Sequence, residues 1–223
     1  MSVLSKFRFP LLVLLAGVIL IPVSFRWDEP VRVGLVEARG PNWKKSPINK
    51  TYQTIRKWGD WPPIMVVAAL GFFVAKWKGN QRWSRIILAA MIASTLAGIL
   101  ANSSRLTTGR TRPRESPKIE QGFYGLWHEG RWLIGVPAYN SFPSGHTATA
   151  FGFATVIVFA APAWGLVAVA LAGAVAWSSI GIGAHHPSDV TVSILLSMVV
   201  GWAVWRFFEM KRPPHRASLT LQA

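Results

Sequence analysis

The chain has 223 residues, 51% of them hydrophobic, and carries 24 Lys+Arg against 9 Asp+Glu, a net charge of +15. Its mean hydropathy of +0.32 is more apolar than soluble domains usually are, and the absence of cysteine excludes a disulfide framework and a thiolate metal site. No zinc-finger spacing, RNP motif or long basic run accompanies the positive charge, so the expected partners are anionic lipid and phosphate, with no nucleic acid among them.

Six apolar segments follow one another along the chain: 9–25, 62–76, 85–103, 147–162, 164–184 and 188–208. As helices they would measure roughly 22–32 Å at ~1.5 Å per residue, close to the ~30 Å hydrocarbon thickness of a bilayer. Lipid requires each span to satisfy its own backbone, so helix is the expected form. The first segment is read as a span and not a signal peptide, because "FRWDEP" follows it where small residues would mark cleavage. Trp27, Trp58, Trp61, Trp77, Trp83, Trp164 and Trp205 lie near the ends of these runs, where an interfacial belt would place them. The expectation is an all-α, six-transmembrane-helix bundle forming a single domain over 1–223, with a flexible tail at 211–223.

Between the segments lie two long polar stretches. Residues 26–61 are mixed in charge and are expected to include an interfacial helix near 46–59. Residues 104–146 hold Arg105, Arg110, Arg112, Arg114 and Arg131. Six crossings put both chain ends on one side and place 26–61, 104–146 and 185–188 together on the other. "RLTTGRTRP" (105–113), "PSGH" (143–146) and "HHPSD" (185–189) therefore meet at one membrane face. Their chemistry is compatible. Arginine binds phosphate oxygens bidentately and keeps its charge. A helix start after Ser-Gly offers free N–H groups to an anion. Histidine can attack phosphorus or protonate a leaving oxygen, and an aspartate four residues on can hold its ring.

These three clusters resemble the signature of the type 2 phosphatidic acid phosphatase (PAP2) superfamily, of acid phosphatase–haloperoxidase type. That signature is Lys, six residues, Arg-Pro; then Pro-Ser-Gly-His; then Ser-Arg, five residues, His, three residues, Asp. Here the first part reads Arg105, six residues, Arg112-Pro113; the second is intact at 143–146; the third reads Ser178-Ser179, five residues, His185, three residues, Asp189. The resemblance implies a metal-independent membrane enzyme, without cofactor, that hydrolyses a lipid phosphate or pyrophosphate. His185 would be the nucleophile, forming a phosphohistidine, with Asp189 orienting it and His146 protonating the leaving group. Arg105, Arg112, Ser144 and Gly145 would hold the nonbridging oxygens. Two positions depart from the pattern: Arg105 stands for lysine, and Ser179 stands for an arginine expected to touch phosphate. Arg110, between the two motif arginines, is the expected substitute for that missing charge. Ser179 also keeps open a catalytically impaired lipid-binding relative, and a phosphohistidine permits a lipid phosphotransferase. Undecaprenyl pyrophosphate, phosphatidylglycerol phosphate, phosphatidic acid and lipid A phosphates all remain candidate substrates, and the oligomeric state is left open. The charged loop between the second and third segments favours a bacterial cytoplasmic membrane with the site facing the periplasm or exterior.

Overall fold

The computed structural model describes residues 7–210 apart from 41 and 117; the tail expected to be flexible, 211–223, lies outside the described residues. In chain order the helices are α1 (Arg8–Arg32), prolonged by one wide turn over Val33–Glu37; a short α2 (Pro47–Lys57); α3 (Trp61–Trp77); α4 (Gln81–Thr108); α5 (Gly145–Ala160); α6 (Pro162–Gly181); and α7 (Pro187–Met210). Strand structure among the described residues is one antiparallel hairpin, β1 (Trp127–His128) with β2 (Arg131–Trp132).

Four stretches are long and apolar enough to cross a membrane: Arg8–Glu37, α4, α6 and α7. The α2–α3 pair, bent by 54° at its break, makes a fifth if the two halves form one broken span. At 16 residues, α5 would be about 24 Å long, short of the hydrocarbon thickness, so the expected count of six is not met by free-standing spans. The reason is its position: eleven of its sixteen residues are buried, and it packs against α4, α6 and α7. A helix shielded by its neighbours need not match the bilayer itself. The outer faces show the converse. Leu12, Leu14, Val18 and Ile19 on α1, Val66, Leu70 and Phe73 on α3, and Leu166 and Leu171 on α6 are each more than half exposed. Apolar surface of that extent belongs in lipid, and the protein is an integral membrane protein.

Small residues set the helix spacing. Ala90, Ala93, Ala97 and Ala101 recur every three or four residues along α4 and are fully buried, so backbones approach closely without a hydrophobic drive between helices. Hydroxyls add polar contacts: Ser94 Oγ donates to the Thr149 carbonyl (2.9 Å) and Ser197 Oγ to that of Ala148 (3.0 Å).

The C-terminal ends of α4 and α6 and the N-terminal ends of α5 and α7 meet at one end of the bundle, knitted together by residues 109–144. Thr111 N–H donates to Gly122 O, Arg112 N–H to Ala138 O, Ser141 N–H to Arg110 O and Arg114 N–H to Gly183 O, all at 2.9–3.1 Å. Two boundaries differ from the sequence expectation. The mixed-charge stretch after residue 25 continues α1 as helix, because Asp28 finds a buried partner. α4 runs on to Thr108, which puts Arg105 in its last turn.

Candidate active site

His185 lies in the turn between α6 and α7, where the N–H groups of Ala184 and His185 both reach the Ser179 carbonyl (3.1 and 3.3 Å). Its imidazole is fully buried. Nδ1 is 2.7 Å from the Ser141 carbonyl, which can only accept, so Nδ1 carries the proton and Nε2 keeps its lone pair. That Nε2 is buried with no hydrogen-bond partner among the described residues. Burial pushes the imidazole down to about 4, against the opposing pull of Asp189. The result is a neutral ring with a free nucleophilic nitrogen.

Asp189 Oδ2 is 3.6 Å from His185 Nδ1, so the nearer acceptor is the Ser141 carbonyl. The carboxylate also holds the surrounding frame. Oδ2 accepts from Ser141 Oγ (2.5 Å) and from the His186 N–H (2.8 Å), and thereby fixes the residue whose carbonyl orients His185. Its other oxygen faces Arg110 Nη1 at 2.5 Å. Arg110 in turn gives Nη2 to Asp28 Oδ2 (2.5 Å), while Asp28 accepts from Ser188 N–H (2.9 Å) and Oγ (2.6 Å). The rings of Phe25, Phe123 and Phe142 surround the guanidinium at 4.6–5.7 Å. Arg110, expected beside the phosphate, is thus held between two carboxylates on the far side of Asp189. Phosphate binding by Arg110 would require both ion pairs to break. Asp28 is a residue sequence reasoning missed; its one signal was an acidic side chain directly after an apolar run.

At the start of α5, Ser144 is the N-cap: its Oγ lies 2.9 Å from Thr147 Oγ1 and accepts from the Thr147 N–H at 3.5 Å, and its own N–H donates to Ser193 Oγ (2.7 Å). The hydroxyl is spent on the helix, and the N–H groups of Gly145 and His146 have no intrahelical acceptor. A Cβ at Gly145 would stand 3.5 Å from Arg105 Nη1 and 2.7 Å from Asn102 Oδ1, so a larger residue would have to displace the Asn102 side chain. Arg112 is buried, with Nη2 on the Asn140 carbonyl (3.1 Å). Burial, and then the positive charges of Arg114, Arg105 and Arg56, pull its guanidinium down to about 9.

His146 has partners that the sequence did not announce. Its Nε2 is 2.5 Å from Asp60 Oδ1 and its Nδ1 is 3.2 Å from Arg56 Nη2. Both come from the elbow between α2 and α3. Ser179, at the position of the family arginine, is fully buried and donates to the Val175 carbonyl (2.9 Å); Ser178 does the same at 2.8 Å. His186 points away from His185, with Nε2 on the Thr111 carbonyl (3.2 Å). Among the described residues no group of three or more His, Asp or Glu side chains forms a metal-ligand cluster. An apolar groove of about 610 Å³, lined among others by Trp58, Ile64, Val67, Phe153, Leu171 and Val175, opens between α3, α5 and α6 next to the elbow.

The structure therefore brings His146, His185, Asp189, Arg105, Arg112, Ser144 and Gly145 to one end of the bundle. The profile of the PAP2 superfamily matches residues 83–213. An undecaprenyl-diphosphatase from Bacillus subtilis is 31% identical over 149 residues, 66% of this chain and 72% of that protein. A lipid A 1-phosphatase from Rhizobium etli is 24% identical over 174 residues, 73% of this chain and 71% of that protein. In fold, the chain resembles a transmembrane PAP2-type phosphatidylglycerolphosphate phosphatase from Bacillus subtilis, with a TM-score of 0.56 at 20% identity over 92% of this chain and 98% of that one. It also resembles LpxE of Aquifex aeolicus, with a TM-score of 0.54 at 21% identity over 81% and 95%. With the profile covering more than half of its length, the chain belongs to the PAP2 superfamily.

Proposed function

We propose that the protein is a membrane phosphatase that hydrolyses a lipid phosphate or diphosphate through a phosphohistidine on His185, without a metal. One observation carries this reading. Arg56, Arg105 and Arg112 each bury an Nε with no partner, and among the described residues none of the three is ion-paired. Withdrawing unpaired cations from water is costly, which supports a polyanionic ligand for them, and Arg112 and Arg56 are near enough to His185 for their charges to act on its imidazole.

In the proposed reaction His185 Nε2 attacks phosphorus, the P–O bond to the leaving group breaks, and the departing oxygen takes a proton from the His146 imidazolium. Water then attacks the phosphohistidine, His146 takes a proton from that water, and inorganic phosphate leaves with His185 restored. Arg105, Arg112 and the N–H groups of Gly145 and His146 hold the nonbridging oxygens, where charge stabilisation is worth most. Ser144 supports them as the cap, and Asp189 and Arg110 position His185.

The relatives named above for undecaprenyl diphosphate, lipid A and phosphatidylglycerolphosphate support a lipid substrate, and the apolar groove beside the elbow suits its chains. The α2–α3 pair and α5 would complete six crossings in one domain. Lys76, Lys78, Arg82 and Arg85 lie around the α3–α4 turn, at the end of the bundle away from the site. By the positive-inside tendency this supports a bacterial cytoplasmic membrane with the site facing outward. The buried Ser179 favours a second reading, a catalytically impaired lipid binder.

A panel of lipid phosphates assayed in EDTA with wild type and His185→Ala separates these readings. The proposal expects phosphate release by wild type and none by His185→Ala. Equal release by both excludes the nucleophile, and no release by folded wild type on any lipid leaves the binder reading.

A further inference from the structure

The cation that position 179 does not supply has to come from elsewhere, and the elbow before α3 offers one. Its sequence is "RKWGDWPP" (56–63). Asp60 is the N-cap of α3 but makes no capping hydrogen bond. An N-cap carboxylate is normally satisfied by the N–H of the second or third helical residue, and those residues here are Pro62 and Pro63, which have none. Asp60 is thereby released from its own helix, and it is His146 Nε2 that it meets.

The elbow is held tightly in place. A Cβ at Gly59 would stand 2.2 Å from Val175 Cγ1 and 3.3 Å from the His146 Cβ, and the Gly59 carbonyl accepts from Thr149 Oγ1 at 2.5 Å. One turn back, Arg56 reaches across to His146 Nδ1. Arg56 Nη2 can only donate, so Nδ1 bears the lone pair, and the proton of the neutral ring is on Nε2, the nitrogen nearest Asp60. Among the described residues no carboxylate lies within ion-pair distance of Arg56, which feels Asp60 only at longer range, and its Nε is buried unsatisfied. A guanidinium whose present acceptor is a neutral ring nitrogen gains by exchanging it for phosphoryl oxygens, which carry opposite charge and can be held by two parallel N–H bonds.

We propose that Arg56 is a phosphoryl-binding residue of this site, standing in for the arginine absent at position 179, and that Asp60 is the positioning residue of His146. The inference rests on the phosphatase reading above. Both residues lie outside the 83–213 region matched by the family profile. Without substrate, Arg56 occupies Nδ1. An arriving singly protonated phosphate group draws Arg56 onto its own oxygens, and the freed Nδ1 takes up the proton which that group loses and passes it to the leaving oxygen, while Asp60 supports the imidazolium from Nε2.

The test measures kcat/KM on the best lipid phosphate, inhibition by orthovanadate and melting temperature for wild type, Arg56→Gln, Arg56→Lys, Asp60→Asn and His185→Ala. Arg56→Gln is expected to melt like wild type, to lose about 100- to 1,000-fold in kcat/KM, as for a lost oxyanion donor, and to bind vanadate correspondingly less tightly. Arg56→Lys recovers part of both, because it keeps the charge and loses the fork. Asp60→Asn lowers kcat with little change in vanadate affinity. Wild-type kcat/KM in Arg56→Gln while His185→Ala is inactive overturns this inference and leaves the phosphatase reading standing. Lost turnover with unchanged vanadate affinity in Arg56→Gln also overturns it, since Arg56 would then act only through His146. Full activity in His185→Ala overturns the reading beneath it.

Discussion

Asp28 sits on α1, far in sequence from the histidines, yet its replacement by alanine is expected to weaken the site from behind. The carboxylate is buried and accepts three hydrogen bonds, from Arg110 Nη2, Ser188 N–H and Ser188 Oγ. Asp28→Ala leaves the Ser188 donors unmet and Arg110 with Asp189 as its sole carboxylate. Breaking one side of a buried ion pair costs about 3–5 kcal/mol, and three bonds at roughly 1–1.5 kcal/mol each give a similar figure. At about 2–4 °C per kcal/mol for a chain of this size, the melting temperature in detergent should fall by roughly 6–20 °C. Asp28→Asn, which keeps an acceptor, should fall less. Because Arg110 bonds to Asp189, and Asp189 to Ser141, the surviving activity should show a lowered kcat with KM little changed. Melting curves and phosphate-release kinetics on the same detergent preparations decide it. An Asp28→Ala protein with wild-type melting and wild-type kcat would show that the Asp28–Arg110–Asp189 chain carries neither stability nor alignment.

Two further outcomes follow from the same geometry. With His185 held near 4 by burial, its lone pair is available well below the ~6.5 of a solvated imidazole. After correction for substrate ionisation, the acid limb of kcat/KM assigned to the enzyme should lie near pH 4, and a limb at 6–7 would contradict the buried neutral ring. The stability sign is the same: the folded value lies below the unfolded one, so His185's contribution is complete above about pH 6.5. It is lost as pH falls toward 4, by about 3 kcal/mol, and acid melting curves of wild type against His185→Gln measure it. Gly59→Ala should separate the elbow from α5 and α6, because its Cβ would overlap Val175. Turnover should drop at least tenfold, and unaltered turnover would mean that the elbow's position is immaterial.

The parts of the site legible in the sequence are those whose signal is local. "PSGH" before an apolar run announces both the cap and the start of α5, and the His185–Asp189 spacing places both groups at the turn into α7. The segment starting at 188 agrees with α7 beginning at Pro187, whereas α6 ends at Gly181, three residues before the expected 184. What was not legible depends on pairs far apart in the chain. Asp28 and Arg110 are separated by 82 residues and Arg56 and His146 by 90, so no window along the sequence joins them. Arg110 was expected beside the phosphate because it lies between the two motif arginines, and only the fold shows two carboxylates on it. The stretch 26–37 read as loop for its charges, yet it is helical because Asp28 is paired inside the bundle. Counting apolar runs gave six segments, and hydropathy does not distinguish a helix facing lipid from one wrapped by helices, as α5 is, so the number of crossings is not fixed by length and composition.

The central claim, that His185 is the phosphoryl acceptor, is tested most directly by trapping the intermediate. Rapid acid-free quench of the enzyme with a ³²P-labelled lipid phosphate, followed by peptide mapping, should find an acid-labile, alkali-stable label on His185. The label should be absent from His185→Ala. A turnover-competent wild type with no label at His185, or label retained in His185→Ala, would contradict the account.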